Sequence, residues 1–174
     1  MNGAPVGQVT LVFTDVQAST VLWDRAPRAM KRALVQHDQV LRAGIPRFRG
    51  YEVKTEGDAF MVAFRSPMDA VCWCLESQLA LYETDWPTEI DSKEATEALY
   101  GGTDNEGFRG LRVRMGIHTG RPECRENHRG DTDYFGSDVN KAARLCDAGH
   151  GGQILMSTSV SSALDAKDLG PIEE

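Results

Sequence analysis

The chain has no apolar run approaching the roughly 20 residues a membrane-spanning helix needs. It also has no C-x-x-C pair and no excess of basic charge. Its 19 Lys and Arg stand against 26 Asp and Glu, a net charge of -7 with a pI near 5.1. Nucleic acids and anionic membranes select a basic face, so the balance excludes a general surface for either, though not a local basic cleft. Cys72, Cys74, Cys124 and Cys146 follow no signal peptide and read as reduced thiols of a cytosolic domain, which a membrane-associated parent protein could carry. At 174 residues and 41% hydrophobic, one domain with a substantial core is the expectation.

What is present is organised around residues 50–64. A charged segment turns at Gly57-Asp58 and becomes Ala59 to Phe64, which carries no polar side chain and predicts a strand covered on both faces. Tyr51 to Glu56 forms the other arm of a tight hairpin. Asp58 at its tip is either a turn residue bonded to its own backbone or half of a metal site. Upstream, Gln8 to Phe13 reads as a central strand ending at Thr14-Asp15. Val16-Gln17-Ala18-Ser19-Thr20 then leads into a helix with Ser19 or Thr20 as N-cap. Free N–H groups at a helix start can hold phosphate, and an Asp at a strand end can hold the accompanying cation.

A long amphipathic helix is expected from Pro27 to about Arg47, with His37 solvated among polar neighbours. Ser66 caps another that begins at Pro67 and runs to about Tyr82, its Trp73, Leu75, Leu79 and Leu81 serving packing. From about Thr84 to Gly110 charged and small residues mark an insertion, with a helical stretch starting after Ser92. Leu111 to His118 alternates apolar residues against Arg112, Arg114, Gly116 and His118, a half-exposed strand. A Gly/Pro/charge-rich connection follows. Asp131 to Gly136 then precedes a helix from about Ser137 to Asp147, on which Asn140 and Arg144 share a face. Gly151-Gly152 opens a short strand from Gln153 to Met156, and Ser157 caps a last helix that fades near Asp165.

Two carboxylates at strand ends, Asp15 and Asp58, suit two-metal phosphoryl or nucleotidyl transfer, in which ions about 3.5–4 Å apart activate the attacking hydroxyl and neutralise the leaving phosphate. Each residue has a plainer reading. Lys54 and Asp58 could form a surface ion pair, Arg144 could pair with Asp147 or Asp138, and Asp133 could cap a turn.

Taken together, FTDVQAST, YEVKTEGDAFMVAF, LRVRMGIHTG, DYFGSDVNKAARL and GGQILMS resemble the catalytic domain of class III nucleotidyl cyclases, in order and over most of the chain. The KTEGDAFMVAF run and the charged insertion are most similar to fungal and kinetoplastid receptor-type adenylate cyclases. The resemblance implies an α+β fold, a ferredoxin-like βαββαβ core with its sheet covered by helices, over residues 1–174. It implies a head-to-tail homodimer that converts ATP to 3′,5′-cyclic AMP and pyrophosphate with two Mg²⁺, for which Mn²⁺ can substitute. By motif position Asp15, Asp58 and the Val16 carbonyl would hold the ions, and Val16, Gln17, Ala18, Ser19 and Thr20 the phosphates. Arg114 would contact the terminal phosphates. From the facing subunit Lys54 and Asp133 would read adenine, Asn140 would orient the ribose and Arg144 would stabilise charge at the α-phosphate. No general base is evident, and metal activation, a proton-accepting Asp15 or Asp58, and solvent all stay open.

The family domain usually continues into a terminal β-hairpin bearing a phosphate-binding lysine, whereas this chain stops at Glu174. The expectation is a piece of a larger regulated protein with upstream domains, dimerising weakly and monomeric in isolation. A rival reading is a catalytically silent cyclase-homology module, whose mark would be loss of a metal Asp or of the Asn/Arg pair; both are retained. Guanylate cyclase is the rival within the class, and Lys54 and Asp133 disfavour it.

Overall fold

The computed structural model describes residues 3–91, 109–127 and 130–164. Five strands form the main sheet: β1 (Val9–Val16), β2 (Tyr51–Glu56), β3 (Ala59–Phe64), β4 (Val113–Gly120) and β7 (Ile154–Met156), in the order β2-β3-β1-β4-β7. β1 lies antiparallel between β3 and β4, and β2 pairs antiparallel with β3, giving the ferredoxin-like arrangement expected of a βαββαβ core. β7 adds a parallel strand beyond β4. A separate ribbon pairs β5 (Glu123–Glu126) with β6 (Thr132–Phe135). β5 carries no strand signal in the sequence: Glu123, Cys124, Arg125 and Glu126 show no apolar alternation, and all four are exposed.

Strand alternation divides the core between the two sheet faces. Val12, Val16, Phe60, Val62, Phe64, Val113, Met115 and Ile117 pack under helices α2 (Pro27–Arg47) and α3 (Pro67–Glu83). Val9, Leu11, Met61 and Ala63 face the other way, against Tyr134 of β6 and Ala142 of α5 (Ser137–Ala148). β3 is therefore covered on both sides, as its wholly apolar run predicts. Ser66 caps α3 by accepting a bond from the Asp69 N–H at 3.4 Å, with Pro67 in the first turn.

Four expectations are corrected by packing, the first being a half-exposed β4: Gly116 and His118 on its polar face are buried beneath α5. His37 is fully buried: its Nδ1 meets Asp38 Oδ1 at 3.1 Å and its ring stands edge-on to Phe60 at 5.7 Å. Its place among Ala33 and Leu41 on the buried face of α2 outweighs its polar sequence neighbours. Leu75 and Leu79 are exposed while Trp73 and Leu81 are buried, because a helix presents only one side to the sheet. Helix α1 (Ser19–Arg25) is capped by Ala18, not by Ser19 or Thr20: Ala18 adopts φ 58° and ψ 27°, turns the chain into the helix and makes no side-chain bond. Between α3 and β4 lies a one-turn helix, α4 (Thr88–Asp91), whose Asp91 bonds Arg109 and the Gly110 N–H. The helical stretch expected after Ser92 and the fading end near Asp165 fall outside the described residues. α6 (Thr158–Ser161) follows β7.

α5 crosses directly over β4. A Cβ placed on Gly116 would stand 2.2 Å from the Cys146 nitrogen and 2.6 Å from the Ala142 oxygen, and one on Gly120 would stand 2.3 Å from Asp138 Cγ. Both glycines are demanded by this close approach of helix to strand. Since the obstacles at Gly116 are backbone atoms, Gly116→Ala must displace α5. We expect it to lower stability at the upper end of the about 1–3 kcal/mol that overpacking costs, read as a lower urea midpoint at unchanged slope.

Candidate active site

The end of β1 gathers four of the expected residues. Asp15 and Arg114 are directly opposite in the β1–β4 ladder. Arg114 donates to Asp15 Oδ2 from Nη2 at 2.6 Å and from Nε at 2.9 Å, both side chains being about three-quarters buried. The hairpin delivers Asp58 to the same place. Gly57, at φ 65°, takes the left-handed position of the two-residue turn, and Asp58 Oδ2 accepts from the Val16 N–H at 3.2 Å. Asp58 thus bonds to β1 and not to its own turn, and Lys54 is not its partner.

The loop after β1 is held by backbone contacts. Gln17 donates its N–H to the Arg112 carbonyl at 2.9 Å, while its Oε1 accepts from the Gly151 N–H at 2.7 Å. Ala18, left-handed without being glycine, carries a strain of about 1–2 kcal/mol. Leu22 closes the first helical bond onto the Ala18 carbonyl, so the N–H groups of Ser19, Thr20 and Val21 have no partner within the helix.

A second group lies across β2 and β6. Lys54 Nζ donates to Asp133 Oδ2 at 3.0 Å, and Tyr51 accepts from the Thr132 N–H at 2.9 Å. Register slips between Glu52 and Lys54, a bulge that re-aims the lysine toward β6. Asp133 Oδ1 accepts from the following N–H, fixing the carboxylate. Both members remain partly open to solvent.

Asn140 and Arg144 project from the exposed face of α5. The plainer pairings for Arg144 do not form. Asp138 is held by His118, Lys141 and the Arg121 N–H, and Asp147 by Arg114, which reaches its carbonyl at 3.0 Å and its carboxylate at 3.6 Å. Among the described residues Arg144 has no ion-pair partner. Cys146, beneath it, donates to the Arg114 carbonyl at 3.5 Å. Burial, with Asp15 nearby, pushes its thiol up to about 12, so it is inert. All four cysteines are free.

The donors at the β1 end are hard oxygens: two carboxylates and the adjoining Val16 carbonyl. No group of three or more His, Cys, Asp or Glu side chains gathers to hold a metal among the described residues. Hard oxygen donors of this kind fit a hard divalent cation that keeps water or ligand oxygens in its shell. The guanidinium already lying on Asp15 marks the position as one that calls for a cation.

Sequence reading missed the polar links that seat these residues. His118 is nearly buried between Asp138 and Ser157, and Thr10 bonds Thr119 at 2.8 Å. The available signal was the Gly116 and Gly120 pair flanking His118.

A βαββαβ sheet with paired carboxylates at one strand end and an Asn/Arg helix beside it defines a nucleotidyl cyclase domain. The chain belongs to that family: the pattern described as "Adenylate and Guanylate cyclase catalytic domain" matches residues 1–172. More particularly, the chain is 46% identical over 171 residues to an adenylate cyclase of Mycosarcoma maydis, covering 98% of itself and 7% of that protein. A receptor-type adenylate cyclase of Trypanosoma equiperdum is 38% identical over 183 residues, 95% of this chain and 39% of the relative. Among solved structures, a Trypanosoma brucei adenylate cyclase in its monomeric state superposes with a TM-score of 0.87 at 36% identity, over 99% of this chain and 82% of that one. The fungal and kinetoplastid likeness read from the motifs is borne out. Among the described residues no helix is long and apolar enough to cross a membrane.

Asp138 generates a stability prediction. The Arg121 N–H, then Lys141 and His118, hold its carboxyl down at about 2 against the opposing effect of burial. A carboxyl lowered by folding stabilises above its unfolded value of about 4, and that contribution is lost as pH falls through about 2. The wild-type midpoint should therefore drop between about pH 4 and 2, and Asp138→Asn should lower stability at neutral pH while flattening this acid limb. Urea titrations across that range measure both.

Proposed function

We propose that this domain is the catalytic domain of an adenylate cyclase, converting ATP to 3′,5′-cyclic AMP and pyrophosphate at sites shared between two head-to-tail copies. The observation that carries it is the Lys54–Asp133 bond. A donor and an acceptor fixed 3.0 Å apart and open to solvent match the edge of adenine, Lys54 donating to a ring nitrogen and Asp133 accepting from the exocyclic amine. Guanine presents a carbonyl and a protonated ring nitrogen there and leaves both groups mismatched. The adenylate cyclase names of the relatives support the same choice.

Asp15, Asp58 and the Val16 carbonyl would hold two Mg²⁺ or Mn²⁺ ions, which when bound polarise the ribose 3′-hydroxyl and neutralise the triphosphate. Arg114 would turn from Asp15 to the terminal phosphates, and residues Val16 to Thr20 would line the phosphate chain. From the facing copy Asn140 would orient the ribose and Arg144 would meet the charge that develops at the α-phosphate. The O3′–P bond forms as the bond to the pyrophosphate oxygen breaks, in line, and the hydroxyl proton leaves to solvent or to Asp15 or Asp58. The receptor-type relatives support a cytoplasmic domain of a membrane-associated, regulated parent.

Cyclase assays with Mn²⁺ at high protein concentration test this. ATP should give cyclic product and GTP far less, Asp58→Ala should abolish turnover, and Arg144→Ala should reduce kcat roughly 10²–10³-fold. Absence of product from either nucleotide at every concentration overturns the reading. An equal mixture of Asp58→Ala and Arg144→Ala chains should recover about a quarter of wild-type activity, since half the dimers are mixed and each of those has one intact site. Asp133→Ala should narrow the preference for ATP over GTP by about 1–3 kcal/mol, measured as the ratio of kcat/KM values.

A further inference from the structure

α5 carries Asn140 and Arg144 on one side and rests on β4 with the other. At about 100° per residue, each of the two lies about 160° round the helix from Ala142, which is buried against the sheet. A small roll or slide of the seated face therefore swings the working face. Gly116 and Gly120 give the helix a smooth bed, which permits close approach and leaves its register along the strand to be set by something else. At the C-terminal end Arg114 takes the Asp147 carbonyl. Asp138 takes that part at the N-terminal end: it accepts from His118 Nε2 at 3.1 Å, from Lys141 Nζ at 3.0 Å and from the Arg121 N–H at 2.9 Å. Lys141 belongs to α5 itself, so only His118 and Arg121 tie Asp138 to the strand and its exit. Of those, His118 is the side chain planted in β4 beneath the helix.

His118 is built for a fixed aim. Its side chain is 8% exposed, and its two nitrogens are occupied by groups from different elements. Asp138, held ionised by its other donors, can only accept, so Nε2 carries the proton. Ser157 Oγ meets Nδ1 at 2.9 Å, and Ser159 lies 3.5 Å from the same nitrogen while donating to the Thr119 carbonyl. The ring is thus locked from the β7–α6 junction and points the Nε2 N–H at α5.

We infer that His118, through Asp138, is a positioning residue that sets the register of α5 and so the reach of Asn140 and Arg144. This rests on the cyclase reading for its catalytic consequence, though not for its structural one. His118 touches no reacting atom, and Lys54, Asp133, Asp15 and Asp58 lie on other elements, so nucleotide binding should survive its loss while turnover does not. A misplacement of about 1 Å costs a site roughly 10²-fold in rate.

The decisive comparison is His118→Leu with His118→Gln, whose amide can place an N–H where Nε2 stood. With Mn²⁺-ATP, His118→Leu should lose roughly 10²-fold in kcat with KM for ATP little changed. His118→Gln should recover most of that loss. In parallel, the ¹⁵N-labelled Asn140 side-chain amide resonance should move in His118→Leu and return in His118→Gln. Should His118→Leu not fold, Asp138→Asn takes its place, with the same expected loss of kcat at unchanged KM. A wild-type kcat in His118→Leu, or a His118→Gln variant as impaired as His118→Leu, overturns the inference. If the wild-type chain makes no cyclic product, the cyclase reading fails, and the Asn140 resonance alone decides this inference: an unmoved signal in His118→Leu refutes it.

Discussion

The ion pair between Asp15 and Arg114 is the constraint on which the rest of the site depends. The β1–β4 register sets the two opposite each other, and the Asp58 hairpin brings a second carboxylate to the same strand end. Two carboxylates so placed repel unless a cation stands by. In this structure Arg114 is that cation, and it is partly desolvated with Asp15. A paired charge in such a position adds little net stability, but one deprived of its partner is costly. Any ligand that draws Arg114 away must therefore give Asp15 a positive charge in return. The metal–triphosphate of the proposed reaction would meet both demands together, supplying phosphate oxygens to the arginine and a cation to the aspartate. Either component alone satisfies only one.

Arg114 also reaches the other working element. Its Nη1 holds the Asp147 carbonyl at the end of α5, and its own carbonyl receives the Cys146 thiol. The helix bearing Asn140 and Arg144 is consequently pinned at one end by the residue that compensates Asp15 and at the other by Asp138 over His118. Glycines at 116 and 120 make this possible by removing the side chains that would lift the helix off the strand. The placement of Asn140 and Arg144 is thus governed by one strand, β4, on which their helix lies.

How much of this was legible in the sequence follows from range. The β2–β3 hairpin, α2 and the Ser66-Pro67 start of α3 are local patterns of turn chemistry, periodicity and capping, and they stand as read. β5 escaped because the four exposed residues of its arm of a two-stranded ribbon have no buried face to declare them. Ala18 escaped because a left-handed alanine is an exception to residue preference, held by the contacts around it. His37 was misplaced because its neighbours in sequence are polar while its neighbours in space include Phe60. Lys54 with Asp133 and Asp15 with Arg114 join residues 79 and 99 apart, which no periodicity can pair. Only the ordered motifs of a family made those residues candidates together, and His118 and Asp138, though inside those motifs, carried no signal of the contact between them.

The hairpin joins these strands of argument. Asp58 sits at its tip against β1, and Lys54, four residues earlier, is turned by the bulge toward Asp133 on β6. In the proposed dimer the first serves the metal half of one site and the second the adenine half of the other. A displacement of the β2–β3 tip relative to β1 would then disturb both sites in the same event, since the two-residue turn leaves no slack between them. Such a domain is poorly suited to losing one site at a time through its hairpin and well suited to being switched through the angle at which two copies meet. The controlling variable would be dimer geometry, and the individual side chains, already held by Arg114, Asp133 and Asp138 within each chain, would be ready before the partner arrives.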